Sequence, residues 1–243
     1  MDKRYAILGD IHSNLEALNA IVEDARSQSA TDFLCVGDVI GYNSNPRECI
    51  DIIRGLGCLT VRGNHDHYCS YDERLDDFQP MAAMVIEWTR RQLRAEDVEW
   101  LHDLPYVRKA AGLTLVHSTL DMPEHWGYVF DALDAEASML IQDTALCFHG
   151  HTHVPVCFRM RGGVATREDP ADFKLALGAR YFVNVGSVGQ PRDGVPFGSY
   201  ALYDAKAREV VFRRIPYDIE TAMDKNRKAG LPERLAERLA VGR

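Results

Sequence analysis

The sequence predicts an α/β fold, a buried sheet flanked by helices with a second, largely antiparallel sheet downstream, and two patterns predict it. Five short apolar runs, Tyr5 to Leu8, Phe33 to Val36, Cys58 to Val61, Leu113 to Val116 and Ala145 to Phe148, each stop at a polar, metal-capable cluster. Strands buried on both faces read as continuous apolar runs, and open α/β sheets gather their ligands beyond the strands' carboxyl ends. After His153 the texture changes: Val154 to Met160, Tyr181 to Val185, Ser199 to Tyr203 and Val210 to Ile215 read as short strands joined by turns. A chain of 243 residues can bury one full core, so a single domain over 1–243 is expected.

The first run is too short for a helix and is closed by Gly9-Asp10-Ile11-His12. Ser13 then precedes Leu15, Leu18, Val22 and Ala25 at helical spacing, with Glu16 three residues on as a capping box requires. The second run leads into Gly37-Asp38, a loop, and Asn45-Pro46, where Asn45 suits a cap and Pro46 the first helical position. The third leads into Gly63-Asn64-His65-Asp66, the fourth into His117, and the fifth into His149-Gly150-His151-Thr152-His153. The five clusters should therefore converge on one edge.

Between the third and fourth runs, residues 78–105 predict a helical cap or flank with Met84, Ile86, Trp88, Leu93, Trp100, Leu101 and Leu104 as its apolar contacts. Residues 161–174, rich in Gly, Asp and Arg, read as a surface loop that could serve as a lid. From Asp218 onward two short helices are expected around Gly230-Leu231-Pro232.

Composition narrows the function. Hydrophobic residues at 46% and charged residues at 26% are ordinary globular values. No apolar run approaches the roughly 20 residues that span a bilayer, and the start reads as a strand rather than a signal peptide, so a cytoplasmic protein without membrane contact is expected. The six cysteines lack CxxC spacing and read as reduced core residues, not as a thiolate zinc site. A net charge of −8 argues against long nucleic acid as a partner. Oligomeric state is left open.

Each polar residue taken alone has a bland reading: Asp10 as a turn former, Asn64 as a cap, His117 as a satisfied core histidine. The set is different. Burying Asp10, His12, Asp38, Asn64, His117, His151 and His153 without partners would cost about 1–3 kcal/mol each, and a shared metal site removes that cost. Imidazole and hard oxygen donors without thiolates suit Mn²⁺, Fe, Zn²⁺ or Ni²⁺. Seven donors exceed what one ion needs, so two divalent ions per chain are expected, with Mn²⁺ first among the candidates and Asp38 as the bridge, roughly 3.5–4 Å apart as in two-metal sites.

In order and in composition, these blocks resemble the motif series of the calcineurin-like metallophosphoesterase superfamily, and Asn184 to Asp193 resembles a segment of its small bacterial and archaeal phosphodiesterase-like branch. Val185 stands where that branch usually has proline. The resemblance implies a four-layer α/β/β/α sandwich, with Asp10, His12 and His153 on one ion, Asn64, His117 and His151 on the other, and Asp38 on both. It implies that His65 is the catalytic histidine, protonating the leaving oxygen or steadying phosphate charge, with Asp66 as its orienting partner. It also implies in-line attack on phosphorus by a hydroxide held between the ions.

Other histidines are weaker. On an alternating strand His149 turns away from its neighbours and reads as structural, while His67, His102 and His125 read as packing or surface groups. Tyr42, Asn45 and Arg192 are expected to contact a small phosphoester or nucleotide substrate, an arginine fork suiting phosphate, although Arg192 could instead pair with an acid such as Asp193. The substrate class stays open among phosphodiesters, phosphomonoesters, dinucleoside polyphosphates and phosphoproteins. A binding scaffold with a decayed metal site is the remote alternative, and intact ligands argue against it.

Overall fold

The computed structural model describes residues 3–76 and 79–243. Among the described residues, twelve strands form two six-stranded mixed sheets. Along the chain the elements are β1 (Arg4–Leu8), α1 (Leu15–Ser27), β2 (Asp32–Cys35), α2 (Pro46–Gly55), β3 (Leu59–Thr60), α3 (Asn64–Ser70), α4 (Pro80–Gln92), α5 (Ala95–His102), β4 (Val107–Ala110) and β5 (Leu113–Val116). A short 3₁₀ turn (Pro123–His125) leads to α6 (Ala132–Ile141), β6 (Leu146–His149), β7 (Val156–Arg161), β8 (Val164–Glu168), β9 (Phe173–Lys174), β10 (Arg180–Asn184), β11 (Gly198–Asp204) and β12 (Glu209–Ile215), and the chain ends in α7 (Ile219–Lys228) and α8 (Glu233–Val241).

The first sheet runs β3-β2-β1-β11-β12-β9 and the second β4-β5-β6-β10-β7-β8. The five apolar runs are therefore divided between two sheets: β1, β2 and β3 pair in parallel in one, β5 and β6 in the other. The downstream strands do not form a sheet of their own. β11 adds to β1 antiparallel, and β10 adds to β6 in parallel.

Alternation along the strands builds the layers. Ala6 and Leu8 of β1 face the helices, while Tyr5 and Ile7 face the second sheet. Phe148 of β6 and Val183 of β10 meet them there, and Cys147 and Phe182 turn outward to pack beneath α6. The result is the four-layer α/β/β/α sandwich.

Several local expectations are corrected. The N-cap of α1 is Asn14, whose side chain accepts from Ala17 N, so the Ser13 and Glu16 box does not form. Pro46 does open α2, but Asn45 makes no side-chain cap bond and its amide donates to Glu48. Residues 161–174 are not an open loop: Gly162 and Gly163, both at positive φ, turn β7 into β8, and Phe173–Lys174 forms β9. The helical flank exists as α4 and α5, with residue 78 outside the described residues; Ile86, Leu101 and Leu104 are buried as expected, whereas Met84 is 55% exposed. The two tail helices form, and Asn226 of α7 donates to Asn43 at 2.7 Å, tying the tail to the loop after β2. All six cysteines are free. Among the described residues no helix is long and apolar enough to cross a membrane.

Candidate metal centre

The loops after β1, β2, β5 and β6 and the start of α3 meet at one end of the two sheets. Two groups of ligand atoms lie within 4.8 Å of one another there: Asp10, His12, Asp38 and His153 in one, Asp38, His117 and His151 in the other. In the first, His12 Nε2 is 3.1 Å from His153 Nε2 and 3.5 Å from Asp38 Oδ2, and His153 Nε2 is 3.3 Å from Asp10 Oδ1. In the second, His117 Nε2 is 3.4 Å from Asp38 Oδ2, 3.1 Å from Asn64 Oδ1 and 3.2 Å from His151 Nδ1. All seven residues named from the sequence are thus brought together.

The chemistry of the donors fits cations. His12 Nδ1 lies 3.0 Å from the Ile40 carbonyl, His117 Nδ1 2.8 Å from that of Val36, and His153 Nδ1 2.6 Å from that of Gln190. A carbonyl accepts only, so each Nδ1 carries a proton, and in the neutral rings of His12 and His153 Nε2 turns a lone pair inward. Lone pairs of His12 and His153 then face each other at 3.1 Å beside two carboxylates, an arrangement a bound cation reconciles.

Burial sets the protonation. It pushes Asp10 up to about 7, with the Asp38 carboxylate adding to the shift and His117 opposing it. It pulls His151 down to about 3, His65 to about 4, and His12 and His153 well below the ordinary histidine range. At Asp38 burial opposes ionisation, but His117, His65 and His12 outweigh it and hold the carboxyl low. His117 is the exception: burial would lower it, yet the Asp38 carboxylate wins and raises it to about 9.

The backbone is strained to make this geometry. Asp10, His12, Asp38, His151 and His153 all have φ between 49° and 70°, a left-handed conformation that costs a non-glycine residue about 1–2 kcal/mol. Glycines allow the loops to close around the ligands. A Cβ on Gly63 would lie 2.1 Å from Asp38 Oδ1, and one on Gly150 would lie 2.4 Å from Asp10 Oδ2.

His65 sits beside both groups, its amide donating to Asp38 Oδ1 at 2.8 Å and its ring 4.8 Å from His12 and 4.4 Å from Tyr42. Asp66 does not orient it. Neighbours on a helix do not face each other, and the Asp66 carboxylate turns instead to the backbone: Oδ2 accepts from Asp38 N at 2.8 Å and Gly63 N at 3.0 Å, Oδ1 from Val39 N at 2.9 Å and Ile40 N at 3.3 Å. Burial and the Asp38 charge push Asp66 up to about 7, and the amides pull the other way. Arg192 lies 5.5 Å over the Tyr42 ring and donates to Gln190, not to Asp193, which pairs with Arg214. Asn45 is engaged at the start of α2 by Ser44 and Glu48.

The sequence missed the bracing groups. Ser187 Oγ and Gly189 N donate to the Asp10 carbonyl at 2.7 and 3.0 Å, and Asn184 Nδ2 donates to the Gly150 carbonyl at 2.5 Å. The 184–193 segment therefore holds the loops that carry Asp10 and His151, and its Gln190 carbonyl orients His153. His149 stacks on Phe182 at 4.1 Å on the outer face of its sheet, a structural role. His67 packs on Tyr71 and pairs with Glu73, and His102 bonds the Ser70 carbonyl.

The family model for the calcineurin-like phosphoesterase superfamily domain matches residues 4–208. The chain belongs to that superfamily. It is therefore a metallophosphoesterase, a phosphoric ester hydrolase; the family implies divalent metal ions, and the buried Asp and His groups could bind them. The uncharacterized protein MJ0912 of Methanocaldococcus jannaschii is 38% identical over 243 residues, covering 98% of each chain. The crystal structure of a metallophosphoesterase from Sphaerobacter thermophilus is 38% identical, with a TM-score of 0.87 over 100% of both chains. PH1004 of Pyrococcus horikoshii shares the fold, with a TM-score of 0.80 at 20% identity over 99% of this metallophosphoesterase and 98% of that chain.

Proposed function

We propose that this chain is a binuclear metallophosphoesterase acting as a phosphodiesterase or phosphatase on small phosphoesters in the cytoplasm, with two Mn²⁺ ions. Asp10, His12 and His153 hold one ion, Asn64, His117 and His151 the other, and Asp38 both. The observation that supports this reading is that the two groups of ligand atoms share Asp38. The nitrogen and oxygen donor set fits Mn²⁺, and six free cysteines fit a reducing compartment.

Two such ions, when bound, neutralise phosphoryl oxygens and lower the pKa of water enough for attack on phosphorus near neutral pH. The protein supplies the rest. The His65 amide holds Asp38 Oδ1 and leaves Oδ2 to face both histidine groups. Burial keeps the His65 imidazole neutral, so it offers one N–H to a phosphoryl or leaving oxygen and steadies the charge that develops there. Arg192, beside Tyr42 at the mouth, suits a remaining phosphate oxygen.

The test is turnover of bis-p-nitrophenyl phosphate with added Mn²⁺. Losing one preorganised donor at the reacting phosphate costs roughly 100–1,000-fold in kcat, so His65→Ala should fall by that factor. Asp38→Asn should fall further, because both groups lose the negative charge and one oxygen donor of their common ligand. Wild-type rates in either variant would sink the proposal.

A further inference from the structure

Beside His117 and His151 the chain from 126 to 130 carries aromatic residues at alternate positions, Trp126, Tyr128 and Phe130, while Val129 between them is buried. The Tyr128 ring stacks on His151 at 4.3 Å with a 28° tilt, and Phe130 lies 5.5 Å further on, nearly parallel at 4°. Trp126 stands 6.1 Å from His117 and 5.6 Å from Tyr106. A row of rings thus leads from the second ligand group into solvent.

Two features separate this row from ordinary surface. Tyr128 and Phe130 are 53% and 58% exposed although they adjoin a site lined with charges, so a large flat apolar face is left in water at the mouth. The segment is also held in place. Phe130 N donates to Asp134 at 2.9 Å, its carbonyl accepts from Arg167 at 3.1 Å, and a Cβ on Gly127 would meet Thr119 at 3.2 Å. Trp126 itself adopts φ 55°, rare for a bulky residue and the kind of strain that collects at binding sites.

We propose that Trp126, Tyr128 and Phe130 form a nucleobase-stacking subsite, so that the phosphoester handled by the metal centre is a nucleotide. The inference rests on the proposed function. Parallel rings standing one beyond another match the π-face that every base presents, whereas a peptide or acyl chain has no use for their alignment. Arg192 lies 5.5 Å over the Tyr42 ring and its charge also reaches Tyr128, so the subsite has a cation close to its rings.

The experiment compares AMP with ribose 5-phosphate, which differ only in the base, by titration calorimetry on the Mn²⁺-loaded protein. Wild type should bind AMP about tenfold or more tightly over ribose 5-phosphate. Stacking on an aromatic residue accounts for roughly 5- to 150-fold in affinity, so Tyr128→Leu/Phe130→Leu should lower the AMP to ribose 5-phosphate ratio by that range. Both side chains are exposed, and thermal unfolding of the double variant checks that it folds. Equal binding of the two ligands by wild type, or an unchanged ratio in the double variant, overturns the subsite. Turnover of thymidine 5′-p-nitrophenyl phosphate and methyl p-nitrophenyl phosphate is measured alongside. If neither is hydrolysed while the base preference is present and lost in the variant, the hydrolase reading falls and the subsite stands.

Discussion

Asp66→Asn separates two roles for a residue that sits next to His65, the proposed catalytic histidine, in the sequence. Each Asp66 oxygen accepts two backbone N–H groups, from Asp38 and Gly63 at Oδ2 and from Val39 and Ile40 at Oδ1. A carboxamide has one acceptor oxygen, so whichever way it turns its NH₂ faces two buried donors. A buried group without a partner costs about 1–3 kcal/mol, so two orphaned amides cost about 2–6 kcal/mol. That is a large part of the 5–15 kcal/mol by which domains are typically stable. The assay is urea denaturation in chelator, which removes any contribution from metal. Because all four amides lie in the loops that carry the ligands Asp38 and Asn64, Mn²⁺ affinity should also fall, by about 10–100-fold as for other groups that orient a metal ligand. A variant within about 0.5 kcal/mol of wild type, yet much slower in turnover, would refute the backbone role and return Asp66 to orienting His65.

Gly63→Ala places a methyl group 2.1 Å from Asp38 Oδ1, so calorimetry should show Mn²⁺ affinity falling at least about tenfold; unchanged affinity would mean the loop yields freely. Away from the centre, Asp24 accepts from Arg213 and from the Tyr200 hydroxyl, and these bonds outweigh burial to hold its carboxyl below the usual value. Asp24→Asn should cost about 1–3 kcal/mol above pH 4, and the gap should close as pH falls through the depressed native pKa, because protonation removes the same charge; denaturation curves across pH 2–7 check this. Mn²⁺ at a hundredfold over its Kd should stabilise the protein by about 2.7 kcal/mol, read as a rise in Tm that chelator reverses; no rise would contradict binding to the native state alone.

Much of the site was legible because its ligands follow strand ends, and a continuous apolar run stopped by a polar cluster is a local signal. Sheet membership was not. β1 and β6 are both short runs buried on two faces, and nothing within either says that β11 pairs with the first and β10 with the second. The hairpin at Gly162 and Gly163 did carry a signal, a two-glycine turn between strands, but β8 is a polar edge strand, Val-Ala-Thr-Arg-Glu, with little apolar alternation. The cap of α1 moved by one residue because Ser13 itself takes a left-handed φ of 56°, leaving Asn14 to cap. The resemblance implies Asp66 as the partner of His65, but on α3 adjacent side chains diverge, and its carboxylate turns to the backbone. Trp126, Tyr128 and Phe130 left no metal-like pattern at all, and only their placement beside His117 and His151 gives them meaning.

The central claim is that Asp38 is shared between two ions. An anomalous difference map from Mn²⁺-loaded crystals should show two peaks roughly 3.5–4 Å apart, one flanked by Asp10, His12 and His153, the other by Asn64, His117 and His151, with Asp38 between them. A single peak at full occupancy, or two peaks without Asp38 in common, would contradict it.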